Sequence, residues 1–140
     1  VGFANYDRLP GTIPEWRGAF FAEYDNGPHN VRATVNYIDG VTDNRGPTVV
    51  NTGFSAVPCT VANAAATTGC QLITFGQEVD PFATLDLTYR VFLPWNTTLT
   101  ASILNVTDED PSASRIEYSY DPAIGNVYGR NFKLGLRKKF

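Results

Sequence analysis

The chain has 140 residues, of which 43% are hydrophobic and 18% charged, so it is too apolar for an intrinsically disordered segment. Its formal net charge of −3 gives no electrostatic basis for nucleic-acid binding. No apolar run reaches the roughly 18–20 residues that a membrane-spanning helix needs.

Alternation of apolar and polar residues, the mark of a β-strand with two different faces, recurs five times along the chain. The predicted strands cover residues 15–25, 30–39, 82–93, 97–106 and 131–140. Helical spacing does not extend beyond about ten residues anywhere. The sequence therefore predicts an all-β fold, an antiparallel up-and-down meander of about five strands.

The two faces of these predicted strands differ in chemistry. In the first strand, Trp16, Phe20 and Tyr24 fall on one face. The opposite faces carry charged residues: Arg17, Glu23, Asp25, Arg32, Asp86 and Arg90. A barrel wall in lipid requires such an apolar outer band and a polar lumen. A soluble sandwich, in which the apolar face packs on a second sheet, remains the alternative on alternation alone.

The connections between the predicted strands run short, long, short, long. Residues 26–29 and 94–96 form the short connections, and residues 40–81 and 107–130 the long ones. Outer-membrane barrels alternate short periplasmic turns with longer extracellular loops. This alternation favours the barrel wall, with the long connections outside the cell.

Five strands are too few, and odd in number, for a bacterial single-chain barrel, and an open sheet leaves two unpaired edges. Lipid cannot satisfy the backbone groups of such edges. We therefore expect the sheet to be a segment of a larger transmembrane β-barrel. The absence of an initiating Met and of a signal peptide agrees with a chain that begins inside a longer protein.

Cys59 and Cys70 lie in a polar stretch of the first long connection. A disulfide between them would stabilise the fold by roughly 3 kcal/mol in the loop-entropy model, and an exposed polar loop in an oxidising compartment favours it over two free thiols. With two Cys and the single His29, a zinc site has too few ligands. Residues spaced for catalysis or for phosphate binding are also missing, so we expect neither an enzyme nor a cofactor.

Three runs of residues resemble the C-terminal barrel region of TonB-dependent outer-membrane receptors. The run I-P-E-W-R-G at residues 13–18 is similar to the L-P-x-W-R opening of a late barrel strand in that family. The run L-N-V-T-D-E-D-P at 104–111 is similar to its N-L-F-D-x-x-P segment. The run from Y-D-P-A-I-G at residue 120 to Phe140 resembles its terminal Y-D-x-x-G-R-x-F-x-L-G-L-R-x-x-F. The runs occur in the family order.

The resemblance implies a receptor in the bacterial outer membrane that takes up a scarce nutrient, such as a ferric siderophore, cobalamin or a glycan, energised through TonB. The plug domain and the TonB-contacting segment would lie upstream of this chain. The implied partners are outer-membrane lipid, the remainder of the barrel and its plug, the TonB complex, and the barrel assembly machinery.

The resemblance also implies that the apolar alternation of the last strand is the signal read by the assembly machinery. Its residues are Phe132, Leu134, Leu136 and Phe140. Lys138 falls on the apolar face of the same strand, where its stem lies along the wall and its ammonium reaches the periplasmic headgroups.

Aromatic residues near the strand ends are expected to anchor the wall at the membrane interfaces. Trp16 and Tyr37 would lie near the outer rim, and Trp95 near the periplasmic rim. Binding residues concentrate on loops, so Tyr118, Tyr120 and Asp121 are candidate extracellular ligand contacts. Packing against neighbouring loops is the alternative role for these three.

Two other classes of protein remain open at this point. One is a passive porin-type or structural outer-membrane barrel without a plug, which the upstream sequence would distinguish. The other is a soluble β-sheet binding module, which would be monomeric and cooperatively folded in detergent-free buffer.

Overall fold

The computed structural model describes residues 1–7, 9–53 and 55–140. These residues form strands and loops and contain no helix, so no helix in the described part is long and apolar enough to cross a membrane. In chain order the strands are β1 (Arg17–Asn26), β2 (His29–Ile38), β3 (Val41–Thr42), β4 (Thr48–Asn51), β5 (Cys70–Ile73), β6 (Glu78–Val79), β7 (Phe82–Leu93), β8 (Thr97–Leu104) and β9 (Asn131–Lys138).

The main feature is one five-stranded sheet in the order β1-β2-β7-β8-β9, and every neighbouring pair is antiparallel. The prediction of an antiparallel meander of five strands is confirmed. The predicted bounds lie within two residues of the observed ones at every strand end, and those of β7 coincide. Period-two alternation located these strands because their two faces meet different surroundings.

Two tight turns close one end of the sheet, which we call the turn end. In the first, Asn26 pairs with His29, and Gly27 takes the positive φ of 58° that the two-residue link requires. In the second, Leu93 pairs with Thr97 across Pro94, Trp95 and Asn96. Trp95 and Asn96 have positive φ values of 62° and 55°, and such a conformation is uncommon for a bulky residue such as Trp95.

The two long connections, residues 39–81 and 105–130, lie together at the opposite end, the loop end, and we call them the loop cap. The first contains two small ribbons that sequence analysis did not predict, β3 paired with β6 and β4 paired with β5. These strands have two or four residues, too few to show alternation. Cys59 and Cys70 form the predicted disulfide, which is thereby confirmed, at the start of β5.

A small apolar core lies between the loop cap and the loop end of the sheet. Its buried members are Ala4, Val41, Val79, Phe82 and Ile124. Gly125 packs tightly here, since a Cβ atom at this position would lie 2.8 Å from Pro111 Cβ. The core is thus built by loop residues around one end of β7, while most of the area of the sheet lies outside it.

Candidate functional site

The strand registers sort the side chains of the sheet into an apolar face and a polar face. Phe20 lies opposite Val35, Val35 opposite Leu85, and Ala101 opposite both Tyr89 and Leu134. Directly opposed residues share a face, so the apolar sets of all five strands coincide. The apolar face consists of Gly18, Phe20, Ala22, Tyr24, Val31, Ala33, Val35, Tyr37, Ala83, Leu85, Leu87, Tyr89, Val91, Leu99, Ala101, Ile103, Phe132, Leu134 and Leu136.

Much of this apolar face is open to the surroundings. Phe20 is 73% exposed, Val35 43% and Leu134 78%, while Leu87 is half-buried. A soluble sandwich would bring Phe20, Val35 and Leu87 together inside a core. None of the three belongs to the core at the loop end. The described chain therefore presents a continuous apolar surface that nothing in it covers.

The predicted interface aromatics lie at the two ends of the sheet. At the loop end, Trp16 is exposed, and the Tyr37 hydroxyl donates to Asp39 Oδ1 over 3.0 Å. At the turn end, Trp95 is 84% exposed. Sequence analysis missed a pair at this end: His29 Nδ1 and the Tyr89 hydroxyl are 2.6 Å apart, with their rings stacked. Pattern alone gives no register, so this pairing could not be read from the sequence.

The polar face carries a hydrogen-bonded network. Asn30, which is buried, donates through Nδ2 to Glu23 Oε1 over 2.6 Å and to Asp25 Oδ1 over 2.7 Å. Glu23 lies directly opposite Arg32, whose guanidinium stands 4.0 Å from the centroid of the Phe21 ring. The charged residues expected on one face do share it. The two bonds from Asn30 give both hydrogens of its buried side-chain amide a partner.

A cavity of about 420 Å³ opens on the polar face near the loop cap. Its floor includes Asp86, which accepts from Asn36 Nδ2 over 2.8 Å and from the Asn105 amide over 2.8 Å. Its rim includes Tyr128 and Lys133, both exposed. The cavity offers hydrogen-bonding groups and an aromatic ring to a polar ligand.

A buried carboxylate joins the parts of the loop cap. Asp43 is 1% exposed and accepts from the backbone amide of Arg45 and from its guanidinium, the shortest contact being 2.7 Å. Arg115 Nη1 lies 4.0 Å from Asp43 Oδ2. Burial alone would raise the pKa of the Asp43 carboxyl, but the hydrogen bonds from Arg45 and the two positive charges outweigh it and hold that pKa below its ordinary value.

Arg115 ties the second long connection to the first. Its guanidinium donates to the carbonyl oxygens of Gly46, Phe75 and Ile73, at 2.9 Å for Phe75 and 3.3 Å for Ile73. The neighbouring phenol of Tyr6 is half-buried, and this burial raises its pKa to about 12, with Asp121 and Asp43 adding to the shift. Sequence analysis did not single out Asp43, Arg45 or Arg115.

The three candidate ligand contacts do not lie in equivalent surroundings. Tyr118 is exposed, and its ring centroid is 6.5 Å from that of Tyr120. Asp121 is only 4% exposed, accepting from the Thr12 hydroxyl over 2.6 Å and from the Ala123 amide over 2.9 Å. Its carboxylate is therefore engaged in holding the turn at residues 121–125. For Asp121 this geometry favours the alternative packing role, while ligand contact by the three residues stays a prediction.

Residues of the second and third motif runs, at 104–111 and from residue 120 onward, hold the base of the loop cap together. Ile124 is buried in the core, while Asp108 Oδ1 accepts from the Arg130 amide over 2.7 Å. In β9 and beyond, Phe132, Leu134, Leu136 and Phe140 are all exposed.

No protein-family model matches the chain, and no curated protein or solved structure matches it either.

Proposed function

We propose that this chain is part of the wall of a transmembrane β-barrel in a bacterial outer membrane, and that the barrel is a TonB-dependent receptor for a scarce nutrient. The observation that carries the proposal is the exposed apolar face of the sheet. An apolar patch of this extent marks an interaction or membrane surface. Fully burying a Phe or Leu side chain, such as Phe20 or Leu134, contributes about 1.5–3 kcal/mol, and hydrocarbon supplies that environment across the whole face.

The lengths of β1, β2 and β7 fit a bilayer, while β8 and β9, with 8 residues each, are about one residue shorter than the usual range of about 9–11. The 12 residues of β7, at about 3.3 Å each, extend roughly 36 Å, and a tilt of about 40° reduces the span to about 28 Å. The hydrocarbon core is about 30 Å thick. β1 and β2 have 10 residues each, within the range of about 9–11 for a transmembrane strand.

The edges of the sheet call for further strands. β1 pairs only with β2, and β9 only with β8, among the described residues. In hydrocarbon, each unpaired amide or carbonyl group costs several kcal/mol. Further strands of the same barrel would satisfy these groups, and by the family resemblance a plug domain would fill the lumen that the polar face lines.

The receptor assignment draws on the motifs and on the loop cap. The three runs that resemble TonB-dependent receptors lie where strands meet the cap, and the cap is tied together by Asp43 and Arg115. A cap held in this way would keep Tyr118 and Tyr120 in fixed positions for a ligand such as a ferric siderophore, cobalamin or a glycan. The TonB complex would supply the energy, and the assembly machinery would read β9.

Paired charge substitutions in the full-length protein test the orientation of the sheet. Leu87→Arg puts a cation on the apolar face near the strand centre, where it costs about 2–4 kcal/mol in lipid. Thr88→Arg puts the same cation on the polar face of the same strand. We expect the first variant to lower the amount of folded protein in the outer-membrane fraction and the second to leave it near the wild-type level. Equal levels for the two variants would contradict a lipid-facing apolar surface.

Uptake measurements test the receptor assignment separately. Cells that express the protein should accumulate one of the labelled candidate nutrients, and accumulation should stop when TonB is removed. Uptake that continues without TonB would instead indicate a passive porin-type barrel. A chain that is monomeric and cooperatively folded in detergent-free buffer would indicate a soluble β-sheet binding module.

A further inference from the structure

Positive charge is concentrated at the turn end of β7, β8 and β9. Between Asp86 and Asp108 the only charged residue is Arg90. Residues 131–140 add Lys133, Arg137, Lys138 and Lys139, and contain no acidic residue. Apart from Asp86 in the loop-end half of β7, these three strands therefore carry cations and no acidic residue.

Three of these cations surround the second turn. Lys138 lies opposite Thr97, and the Lys139 amide donates to the Asn96 carbonyl over 3.1 Å, which holds the end of β9 against the turn. Arg137 and Lys139 line a cavity of about 470 Å³ together with Trp95. Lys138 belongs to the apolar face, and its ammonium lies 5.2 Å from the centroid of the Phe140 ring. Lys138 and the exposed Trp95 thus border the apolar face at one end, while Arg137 and Lys139 lie beside them on the polar face.

An apolar groove of about 550 Å³ runs over the same three strands. Its walls on the apolar face are Leu87, Tyr89, Ile103, Phe132 and Leu134, and its floor is Ala101. The small side chain of Ala101 stands between Tyr89 and Leu134 in the register, so the larger neighbours rise on both sides of it. The groove has the shape and chemistry for a hydrocarbon chain.

The distance between groove and cations matches one membrane leaflet. Four residues separate Leu134 from Lys138, which is about 13 Å along the strand and about 10 Å in depth after a tilt of about 40°. Half of a hydrocarbon core about 30 Å thick is about 15 Å. A lipid whose acyl chain lies in the groove would therefore place its headgroup beside Lys138.

We propose that the groove over Ala101 and the basic cluster of Arg137, Lys138 and Lys139 form a binding site for one anionic phospholipid of the leaflet at the turn end. This inference rests on the proposed position of the apolar face in a bilayer. The acyl chain fills the groove, and the phosphate meets the Lys138 ammonium, while Arg137 and Lys139 add longer-range attraction from the other face of the strand. A zwitterionic headgroup carries its own cation, so the cluster favours a net negative headgroup.

The test uses the full-length protein in nanodiscs of mixed phosphatidylglycerol and phosphatidylcholine, with the retained lipids measured by native mass spectrometry. Each cation near the surface is expected to change the affinity for an anionic lipid about fivefold, which corresponds to about 1 kcal/mol. We therefore expect K138Q to lower the phosphatidylglycerol preference about fivefold, and K138Q/K139Q to lower it by up to about thirty-fold. The matched control R90Q, on the polar face of β7 and outside the groove, should retain it. A101F should fill the groove and reduce retention of both lipids.

Each outcome bears on a distinct claim. Full insertion with equal retention of the two lipids would overturn the lipid site and leave the barrel proposal standing. An unchanged preference in K138Q/K139Q would overturn it as well, because the cluster would then have no part in selection. Failure of the wild-type protein to enter any bilayer would overturn the barrel proposal itself.

Discussion

The central role of Arg115 in the loop cap leads to a prediction about local stability. Arg115→Met keeps the length and apolar stem of the side chain but removes its donors and its charge. The Gly46, Phe75 and Ile73 carbonyls, all in the first long connection, lose their shared partner. Asp43 keeps Arg45 but loses the second positive charge at 4.0 Å.

The size of the effect follows from these contacts. Hydrogen bonds that involve a charged group contribute about 1.5–3 kcal/mol each, and those to partly exposed carbonyls lie at the low end of that range. Breaking a fully buried ion pair costs about 3–5 kcal/mol, which is an upper limit here because the side chain of Arg115 is 15% exposed and its distance to Asp43 is long. We expect a loss of about 3 kcal/mol in the free energy of opening the loop cap, or roughly a hundredfold.

Hydrogen exchange of the full-length protein, read by mass spectrometry, measures this opening segment by segment. Peptides from residues 39–81 and 105–130 should exchange roughly a hundredfold faster in the variant, because local opening governs their exchange. Peptides from β1 and β2 should be unchanged. Arg90 provides a matched control: it lies on the polar face of β7 outside the loop cap, so Arg90→Met should leave exchange in the cap unchanged. Unaltered exchange in the loop cap of Arg115→Met would refute the central role of this residue.

Three further predictions concern the same cap. Gly125→Ala should destabilise the cap by about 1–3 kcal/mol, because the new Cβ would lie 2.8 Å from Pro111. Gly135→Ala, whose new Cβ would have its nearest neighbour at 4.0 Å, should be nearly neutral. Thermal unfolding of both variants measures this contrast. Replacing Cys59 and Cys70 by Ala should lower the free energy of opening the β4–β5 ribbon by about 3 kcal/mol, so hydrogen exchange there should be faster while exchange in β7–β9 is unaffected. Faster exchange throughout the sheet would contradict a local role of the disulfide. The folded-state pKa of Asp43 is lowered, so its contribution to the stability of the cap is complete above its ordinary pKa of about 3.9 and is lost as the pH falls through the lower folded value. Hydrogen exchange of the cap, measured as a function of pH, should therefore become faster only on that acidic side. Asp43→Asn should abolish this pH dependence.

The sheet could be predicted from the sequence because each strand carries its own information. In residues 82–93 every second side chain is apolar, and this alternation fixes both the strand and its two faces without reference to a partner. The turns at Gly27 and Pro94 then set the antiparallel order. Register remained open, and with it the contact between His29 and Tyr89.

The loop cap could not be predicted because its contacts join residues far apart in the chain. Asp43 and Arg45 are two residues apart in sequence and look like an ordinary solvated turn, while Arg115 lies in the other long connection. No periodicity links these positions. Because Asp43 is buried, its pairing with Arg45 and Arg115 joins the two long connections. Burial of a loop residue is a property of the assembled fold and not of the local sequence.

The same distinction separates Asp121 from Tyr118, although ligand contact by either residue stays a prediction. Both lie in an acidic and aromatic segment for which the sequence alone left ligand contact and packing against neighbouring loops open. Asp121 instead turns inward, where Thr12 and the Ala123 amide occupy its carboxylate, and Ile124 follows it into the core. Short polar side chains accept hydrogen bonds from nearby backbone amides in turns, which draws them inward. The Tyr118 ring does not accept such bonds and stays exposed. Ligand recognition by this cap should therefore depend on its aromatic residues, and the acidic ones nearest the core should prove to support them.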